Sequence, residues 1–167
     1  LSKNGIDKCP SCQKSVGVPC ASGISDLLRT AKLSSVERLG FNPFDSYLTK
    51  LEKYKGNVYA VHGSLSLTGS VKDRATLIAI IAATNFSMSK ITVASCGNAA
   101  VSLAAAGRRF GIETHIHVAN DIDSKYIDRL NIEGAVINAS HESYKKAFDC
   151  SVKSAEEHND IYSRNTG

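Results

Sequence analysis

The sequence predicts an α/β fold, in which a mainly parallel sheet of about four strands is flanked by helices in three layers. Short β-branched apolar segments alternate with helical segments of roughly ten or more residues. Connections of that length are crossovers, which bring successive strands into parallel pairing. A content of 43% hydrophobic and 22% charged residues in 167 is that of a globular domain with a buried core.

Apolar periodicity and turn residues set the order of the elements. Strands are predicted at residues 57–62, 90–94, 113–118 and 135–138, with one more beginning at Ile161. Helices are predicted at residues 24–31, 44–51, 70–86, 98–110, 123–132 and 142–158. We divide the chain into a cysteine-containing leader and helix of a larger domain at 1–40, a small α/β domain at 41–160, and a crossover to a further C-terminal domain beginning at 161–167. The chain starts at Leu1 and ends in a loop-like sequence, so we expect a longer polypeptide.

Charge and apolar patterning exclude several classes of partner. The net charge of +4 comes from 20 basic and 16 acidic residues without a basic run, so we expect no nucleic acid and no membrane as partner. No apolar segment approaches the roughly 20 residues that span a bilayer. Five scattered cysteines are unlike a secreted disulfide framework. We therefore predict a cytoplasmic protein that takes a small ligand, and homo-oligomerisation stays open.

The leader contains a Cys-x-x-Cys pair, Cys9 and Cys12, followed by Cys20. Two thiolates at this spacing form the first half of a zinc ribbon, and Cys20 can add a third ligand. A fourth ligand does not follow nearby. We therefore favour reduced thiols over bound zinc.

A lysine stands where a glycine-containing turn gives way to a long apolar helix, in residues 68–74, Thr-Gly-Ser-Val-Lys-Asp-Arg. Ser70 is the predicted N-cap, and Asp73 suits the positive end of the helix dipole. An amine near unpaired N–H groups and partly out of water is less easily protonated and attacks carbonyls more readily. Lys72 is therefore predicted to form a Schiff base, whereas Asp73 and Arg74 are predicted to be structural.

A second loop, residues 94–100 with the sequence Ala-Ser-Cys-Gly-Asn-Ala-Ala, follows a predicted strand and opens an alanine-rich helix. Ser95 and Asn98 can cap this helix or face a ligand, and Gly97 lets the backbone approach closely. The N–H groups beyond can hold a carboxylate. Ligands of open parallel sheets collect at the carboxyl ends of strands, so the two loops predict one site, although each alone is also an ordinary helix start.

Three other features of the sequence are weaker indications of a functional site. His115 and His117 lie on one face of a strand, but a metal site needs a third ligand. Cys96 is either a reactive thiol at a helix start or, like Cys150, a buried small side chain. Neither a Gly-x-Gly-x-x-Gly nor a P-loop motif occurs, so we expect no dinucleotide or nucleoside triphosphate site.

In sequence order, the two loops resemble those of the fold-type II pyridoxal-phosphate enzymes, the family of threonine synthase, serine/threonine dehydratase, cysteine synthase and the tryptophan synthase β-subunit. The resemblance runs from about Asn42 to the end of the chain. It includes the Asn-Pro-Phe at residues 42–44, the Phe-Gly-Ile turn at 110–112 and the Glu-Gly-Ala at 133–135. It implies the small, lysine-bearing domain of that fold, with pyridoxal 5'-phosphate as the cofactor.

The resemblance also implies a role for each matching residue. Lys72 would hold the cofactor as a Schiff base and move protons at the α-carbon of an amino-acid substrate. Asn98 would hydrogen-bond the ring oxygen beside that linkage. The loop that takes the substrate carboxylate would consist of Ser95, Cys96, Gly97 and Ala99.

The predicted function is that of a pyridoxal-phosphate lyase of amino-acid biosynthesis. It would act on a hydroxy- or phospho-amino acid by β/γ-elimination or replacement and be most like threonine synthase. In the family, the glycine-rich loop for the cofactor phosphate belongs to the second half of the fold, so we expect the 167-residue segment to be inactive without a C-terminal domain. Two alternatives stay open: a non-catalytic homologue or partner-binding module, and a module that binds another anion at residues 97–100.

Overall fold

The computed structural model describes residues 48–62, 64 and 66–164, which contain six strands and four helices. The strands are β1 (Leu48–Lys50), β2 (Tyr59–Val61), β3 (Lys90–Ala94), β4 (Glu113–Ala119), β5 (Val136–His141) and β6 (Ile161–Ser163). The helices are α1 (Lys72–Asn85), α2 (Asn98–Phe110), α3 (Ser124–Ile132) and α4 (Tyr144–Glu157). The leader cysteines Cys9, Cys12 and Cys20, the helix predicted at 24–31 and the chain end at 165–167 lie outside the described residues.

Four strands form one parallel sheet in the order β5-β4-β3-β6. The connections through α2 and α3 run in one direction across this sheet, and the connection through α4 runs back to the other edge. Right-handed crossovers therefore place α2 and α3 on one face and α4 on the other, and α1 packs against α2. The prediction of a three-layer α/β fold with a parallel sheet of four strands is confirmed.

The core lies between β3, β4 and the helices α1 and α2. Ile80, Ile91, Leu103 and Ile116 are completely buried there. Alanines fill much of the contact between α1 and α2, where small side chains let the two helices approach closely. No helix in the described part of the chain is long and apolar enough to cross a membrane.

Near its C-terminal end, α2 is pressed against β4 at Gly107. A Cβ atom at this position would lie 2.2 Å from Cγ2 of Thr114 and 2.8 Å from the main-chain oxygen of Ile112. Both distances are shorter than atoms tolerate, so only glycine fits. This contact lets the C-terminal end of α2 approach β4 closely.

The helix predicted at residues 44–51 is wrong in the part that is described. Residues 48–50 form β1, which pairs antiparallel with β2. Apolar residues spaced three and four apart suited a helix, but main-chain pairing with residues 59–61 decided the local structure, and the Leu51 N–H also donates to Val58 O at 2.9 Å. The strand predicted at 57–62 therefore exists, but it belongs to this two-stranded sheet and not to the parallel one.

Candidate functional site

A cavity of about 370 Å³ opens at the carboxyl edge of the parallel sheet. It is bounded by the end of β3, the first turns of α1, α2 and α4, and the residue after β6. The lining residues are Lys72, Val93, Ala94, Ser95, Asn98, Ala99, Tyr144 and Arg164. Three helix N-termini meet at this cavity, and their partial positive charge favours an anionic ligand.

Lys72 is the first residue of α1, and the turn before it fixes its main chain. The Lys72 N–H donates to Oγ of Ser70 at 3.2 Å, and the Asp73 N–H donates to the Ser70 carbonyl at 3.1 Å. Val71 already has helical dihedral angles and Oγ of Ser70 accepts a main-chain N–H of the first turn, so Ser70 acts as the predicted N-cap, one residue before the helix boundary at Val71. Lys72 is an exposed residue in the part of the chain that the structure describes, so the prediction that its amine lies partly out of water gains no support from burial.

The carboxylate of Asp73, in the first turn of α1, holds the preceding turn through hydrogen bonds. Asp73 is 5% exposed and accepts hydrogen bonds from both the N–H and the hydroxyl of Thr68, each at 2.7 Å. Burial raises the pKa of Asp73, but hydrogen bonds from Ser102, Ser66 and Thr68 together outweigh it and hold the pKa below its usual value. Asp73 is therefore a buried, ionised anchor for the turn, which agrees with the prediction that it is structural.

The start of α2 is built from main chain. Its N-cap is Gly97, and no side chain caps the helix. The Gly97 carbonyl accepts the N–H groups of Ala100 and Val101 at 2.9 and 3.3 Å. Among the described residues, the N–H groups of Asn98 and Ala99 have no acceptor, so they are available to a ligand in the cavity.

The loop before α2 is also joined to the neighbouring strand. The Ser95 N–H donates to the main-chain oxygen of His117 at 3.2 Å. The ring of His117 stacks on that of His141, with Nδ1 of the first 3.2 Å from Nε2 of the second. Burial, together with the charges of His141 and His115, lowers the pKa of His117 to about 4, so the ring is neutral at neutral pH.

His115 and His117 lie two residues apart on β4 and contact different side chains. Within the part of the chain that the structure describes, no group of three or more His, Cys, Asp or Glu side chains could hold a metal ion. His115 contacts Glu113 instead. Cys96 and Cys150 are free thiols and both are exposed, so the interpretation of either as a buried small side chain is wrong.

Arg164 follows β6 and forms the wall of the cavity next to β3. The main-chain N–H of Arg164 donates to the Thr92 carbonyl at 2.9 Å, and this hydrogen bond holds the residue beside β3. The residue is 8% exposed, and its Nε atom has no hydrogen-bond partner among the described residues. Burial lowers the pKa of Arg164 to about 10, partly offset by the charge of Asp73, so the guanidinium stays charged at neutral pH.

The cavity brings together four of the six residues that the sequence nominates as a site: Lys72, Ser95, Asn98 and Ala99. Cys96 and Gly97 belong to the same loop but do not line the cavity. Sequence reasoning missed Tyr144 and Arg164. Each follows a predicted strand at the same edge as residues 94–100, and this position is the signal that could have identified them.

Comparison with known protein families gives a match over most of the chain. The family described as pyridoxal-phosphate dependent enzyme matches residues 40–167. A search of curated proteins gives no significant match.

Solved structures share the fold. The processed form of threonine deaminase isoform 2 from Solanum lycopersicum superposes with a TM-score of 0.61 at 19% identity, covering 83% of this chain and 39% of that one. A hydrogen sulfide-producing enzyme from Fusobacterium nucleatum gives 0.63 at 19% identity, covering 79% and 43%. A mutant hydrogen sulfide-producing enzyme in complex with an alpha-aminoacrylate intermediate gives 0.57 at 20% identity, covering 71% and 38%. The chain thus spans about two fifths of the length of these solved proteins.

Proposed function

The chain belongs to the family of pyridoxal-phosphate dependent enzymes, and we propose that it supplies the lysine side of the active site of a lyase. The proposed substrate is a hydroxy- or phospho-amino acid, and the proposed reaction is β/γ-elimination or replacement of the threonine synthase kind. One observation carries the proposal: Lys72 and the start of α2 line the same cavity. The free thiols of Cys96 and Cys150 support a reducing, cytoplasmic location.

The residues at the cavity fit the cofactor of this family. Pyridoxal phosphate is an aldehyde that carries an anionic phosphate, and the cavity offers the primary amine of Lys72 beside three helix N-termini. Lys72 would hold the cofactor through its aldehyde carbon, and the Asn98 side chain would hydrogen-bond the ring oxygen. When bound, the cofactor supplies an electron sink for negative charge at the substrate α-carbon.

Binding of the substrate carboxylate and proton transfer at the α-carbon are the proposed roles of residues in this chain. The Ser95 hydroxyl and the N–H groups of Asn98 and Ala99 are the proposed donors to the substrate carboxylate. Nζ of Lys72 is the proposed base that takes a proton from the substrate α-carbon and returns it. Asp73 holds the turn before Lys72 in place, so that the amine stays aimed at the cavity.

A non-catalytic homologue or partner-binding module is the second candidate. It is favoured by one observation, the exposure of Lys72 in the described part of the chain. An amine that is open to water is not activated as a nucleophile by burial. The same experiment separates the two candidates.

Pyridoxal phosphate added to the chain should produce a visible-violet absorption band, as expected for an imine of the cofactor. The band should vanish in Lys72→Ala and in Lys72→Arg, which keeps the charge. The control is Lys153→Ala, on the exposed face of α4, where the salt bridge with Glu157 contributes little. A band that survives both Lys72 substitutions would overturn the assignment, and its absence from a polypeptide long enough to include the phosphate-binding loop would favour the second candidate.

A further inference from the structure

Two histidine rings join β4 to β5 at the carboxyl edge of the parallel sheet. His117 lies on β4, and His141 is the last residue of β5. Their rings stack with centroids 5.3 Å apart, and Nδ1 of His117 lies 3.2 Å from Nε2 of His141. Only 7% of His117 is exposed, and its Nε2 atom has no hydrogen-bond partner among the described residues. Neither ring has a role in the proposed reaction.

The ring pair can hold one added proton but not two. A neutral imidazole has one N–H donor and one acceptor nitrogen, whereas a protonated imidazole has two donors. The contact needs one donor and one acceptor, so it survives a single proton on the half-buried His141. A proton on His117 as well would turn two N–H groups toward each other, and the buried Nε2–H would lack an acceptor among the described residues. Full protonation therefore breaks the contact.

The surroundings of His117 do not offset a second charge. The elements that pack on this face of β4 place uncharged residues opposite or beside it: Thr92 and Ala94 of β3, Asn138 of β5, and the buried Ala147 and Ser151 of α4. On β4 itself, His115 lies on the same face, and the carboxylate of Glu113 is in contact with His115. The one acid on this face of β4 is therefore engaged by the other histidine.

The remaining titratable residues close to the pair in sequence are exposed. They are Asp121, Glu142 and Tyr144. No salt bridge among the described residues joins either acid to His117 or His141. Burial, together with the charges of His141 and His115, accordingly lowers the pKa of His117 to about 4.

The ring pair is connected to two walls of the cavity. The His117 carbonyl accepts the N–H of Ser95 at 3.2 Å, and Ser95 lines the cavity just before α2. His141 lies three residues before Tyr144, the residue of α4 that lines the cavity. The pair thus joins the strand that holds the Ser95 loop to the strand that leads into α4.

We propose that the His117–His141 pair is a pH-sensitive clasp: while closed it holds the start of α2 at the cavity, and protonation of both rings releases the loop that contains Ser95. An opened His117 ring regains water and the ordinary histidine pKa of about 6.5, so opening is favoured as the pH falls from about 6.5 toward 4. The cavity is therefore assembled at neutral pH and loosened in acid. The clasp itself does not depend on the proposed function, but its effect on cofactor binding rests on it.

Amide hydrogen exchange of the ¹⁵N-labelled chain, followed by NMR, tests the release. After correction for the pH dependence of exchange itself, the protection of the Ser95 N–H should fall at least about fivefold between about pH 7 and about pH 5. The exchange should not change in low concentrations of urea, because a local opening exposes little surface. His117→Gln should lose this pH dependence, and the exposed His158→Gln should keep it.

Two of these results come from the unaltered chain, so they do not depend on the folding of a variant. Constant protection of Ser95 in the unaltered chain, or exchange that rises with urea, would overturn the clasp. An equal fall in His117→Gln would overturn it as well.

Binding of pyridoxal phosphate, followed by the violet band, connects the clasp to the site. Comparison of the unaltered chain with His117→Gln at each pH cancels the pH dependence of the imine itself. The two should bind equally at about pH 7, and the unaltered chain should bind at least about threefold more weakly at about pH 5. A constant ratio of the two affinities would overturn the effect on the site.

The exchange measurement contains no cofactor. A chain that releases Ser95 in acid but forms no band at any pH would contradict the proposed function and keep the clasp. A chain that forms the band through Lys72 without the release of Ser95 would do the reverse.

Discussion

The starts of α1 and α2 reach the same cavity but are held in opposite ways. Before α1, the buried carboxylate of Asp73 ties down the turn by accepting two hydrogen bonds from Thr68. At α2 no side chain caps the helix, and Gly97 contributes only main-chain atoms. The turn before Lys72 is thus fixed by a side-chain network, whereas the start of α2 presents uncapped main chain to the cavity.

Among the substitutions that test this contrast, Asp73→Asn is expected to cause the largest loss of stability. The amide keeps the shape but cannot accept both hydrogen bonds, and a half-buried donor of Thr68 loses its partner. We expect a loss of about 3 kcal/mol in the free energy of unfolding, measured by urea denaturation. The control, Asp128→Asn on the exposed side of α3, should change it by less than about 0.5 kcal/mol.

The stabilisation by Asp73 also has a defined pH dependence. Its folded pKa lies below the ordinary value of 3.8, so its stabilisation is fully present above that value and is lost as the pH falls through the lowered pKa. Equal losses for the Asp73 and Asp128 variants would show that the turn does not depend on Asp73.

The next effect concerns how α2 is held without a cap. Gly107→Ala places a Cβ atom 2.2 Å from Cγ2 of Thr114 and should cost about 2 kcal/mol, because helix and strand must separate. Gly97→Ala is the matched control: nothing lies within 4 Å of its Cβ, so thermal unfolding should show a change below about 0.5 kcal/mol. If Gly97→Ala were the more damaging of the two, the helix would be held at its start and not along its body.

A smaller effect is expected from His117, whose main-chain oxygen joins the loop before α2 to β4. Its folded pKa of about 4 lies below the ordinary 6.5, so between these values only the unfolded chain binds the proton and stability rises with pH. After allowance for solvent screening, the rise should be about 1–2 kcal/mol. His117→Gln should flatten this part of the pH profile, and the exposed His158→Gln should not. An unchanged profile in His117→Gln would contradict the neutral, buried ring.

The smallest expected effect distinguishes the contribution of the Asn98 main-chain N–H from that of the Asn98 side chain. Proline is tolerated at the first position of a helix, so Asn98→Pro should fold as well as Asn98→Ala. Only the proline variant also loses the N–H at this position. We expect it to bind L-serine about threefold more weakly than Asn98→Ala, by calorimetry. Identical binding by the two variants would show that this N–H does not contact the carboxylate.

The parallel sheet and both site loops could be predicted from the sequence because their signals are local and repeated. Helix α2 has the predicted bounds, residues 98–110, and β3 has the predicted bounds, 90–94. The two loops could be placed at one edge because parallel strands end on the same side. Residues 48–50 could not be predicted, since three residues of strand depend on pairing with residues 59–61 and their own spacing suits a helix.

The side chains that complete the site escaped prediction for a different reason. Arg164 lines the cavity; its burial and the lack of a partner for its Nε atom among the described residues are properties that are not local to its sequence. The role of Asp73 was predicted only as a charge at a helix start. Its contact with Thr68, five residues earlier, depends on the fold of the turn.

The central claim is that Lys72 is the residue that bonds the cofactor. The most direct measurement incubates the chain with pyridoxal phosphate, reduces it with borohydride and locates the attached group by peptide mass spectrometry. The account predicts a single modified position, Lys72. Modification spread over exposed lysines such as Lys125 and Lys145, without an excess at Lys72, would contradict it.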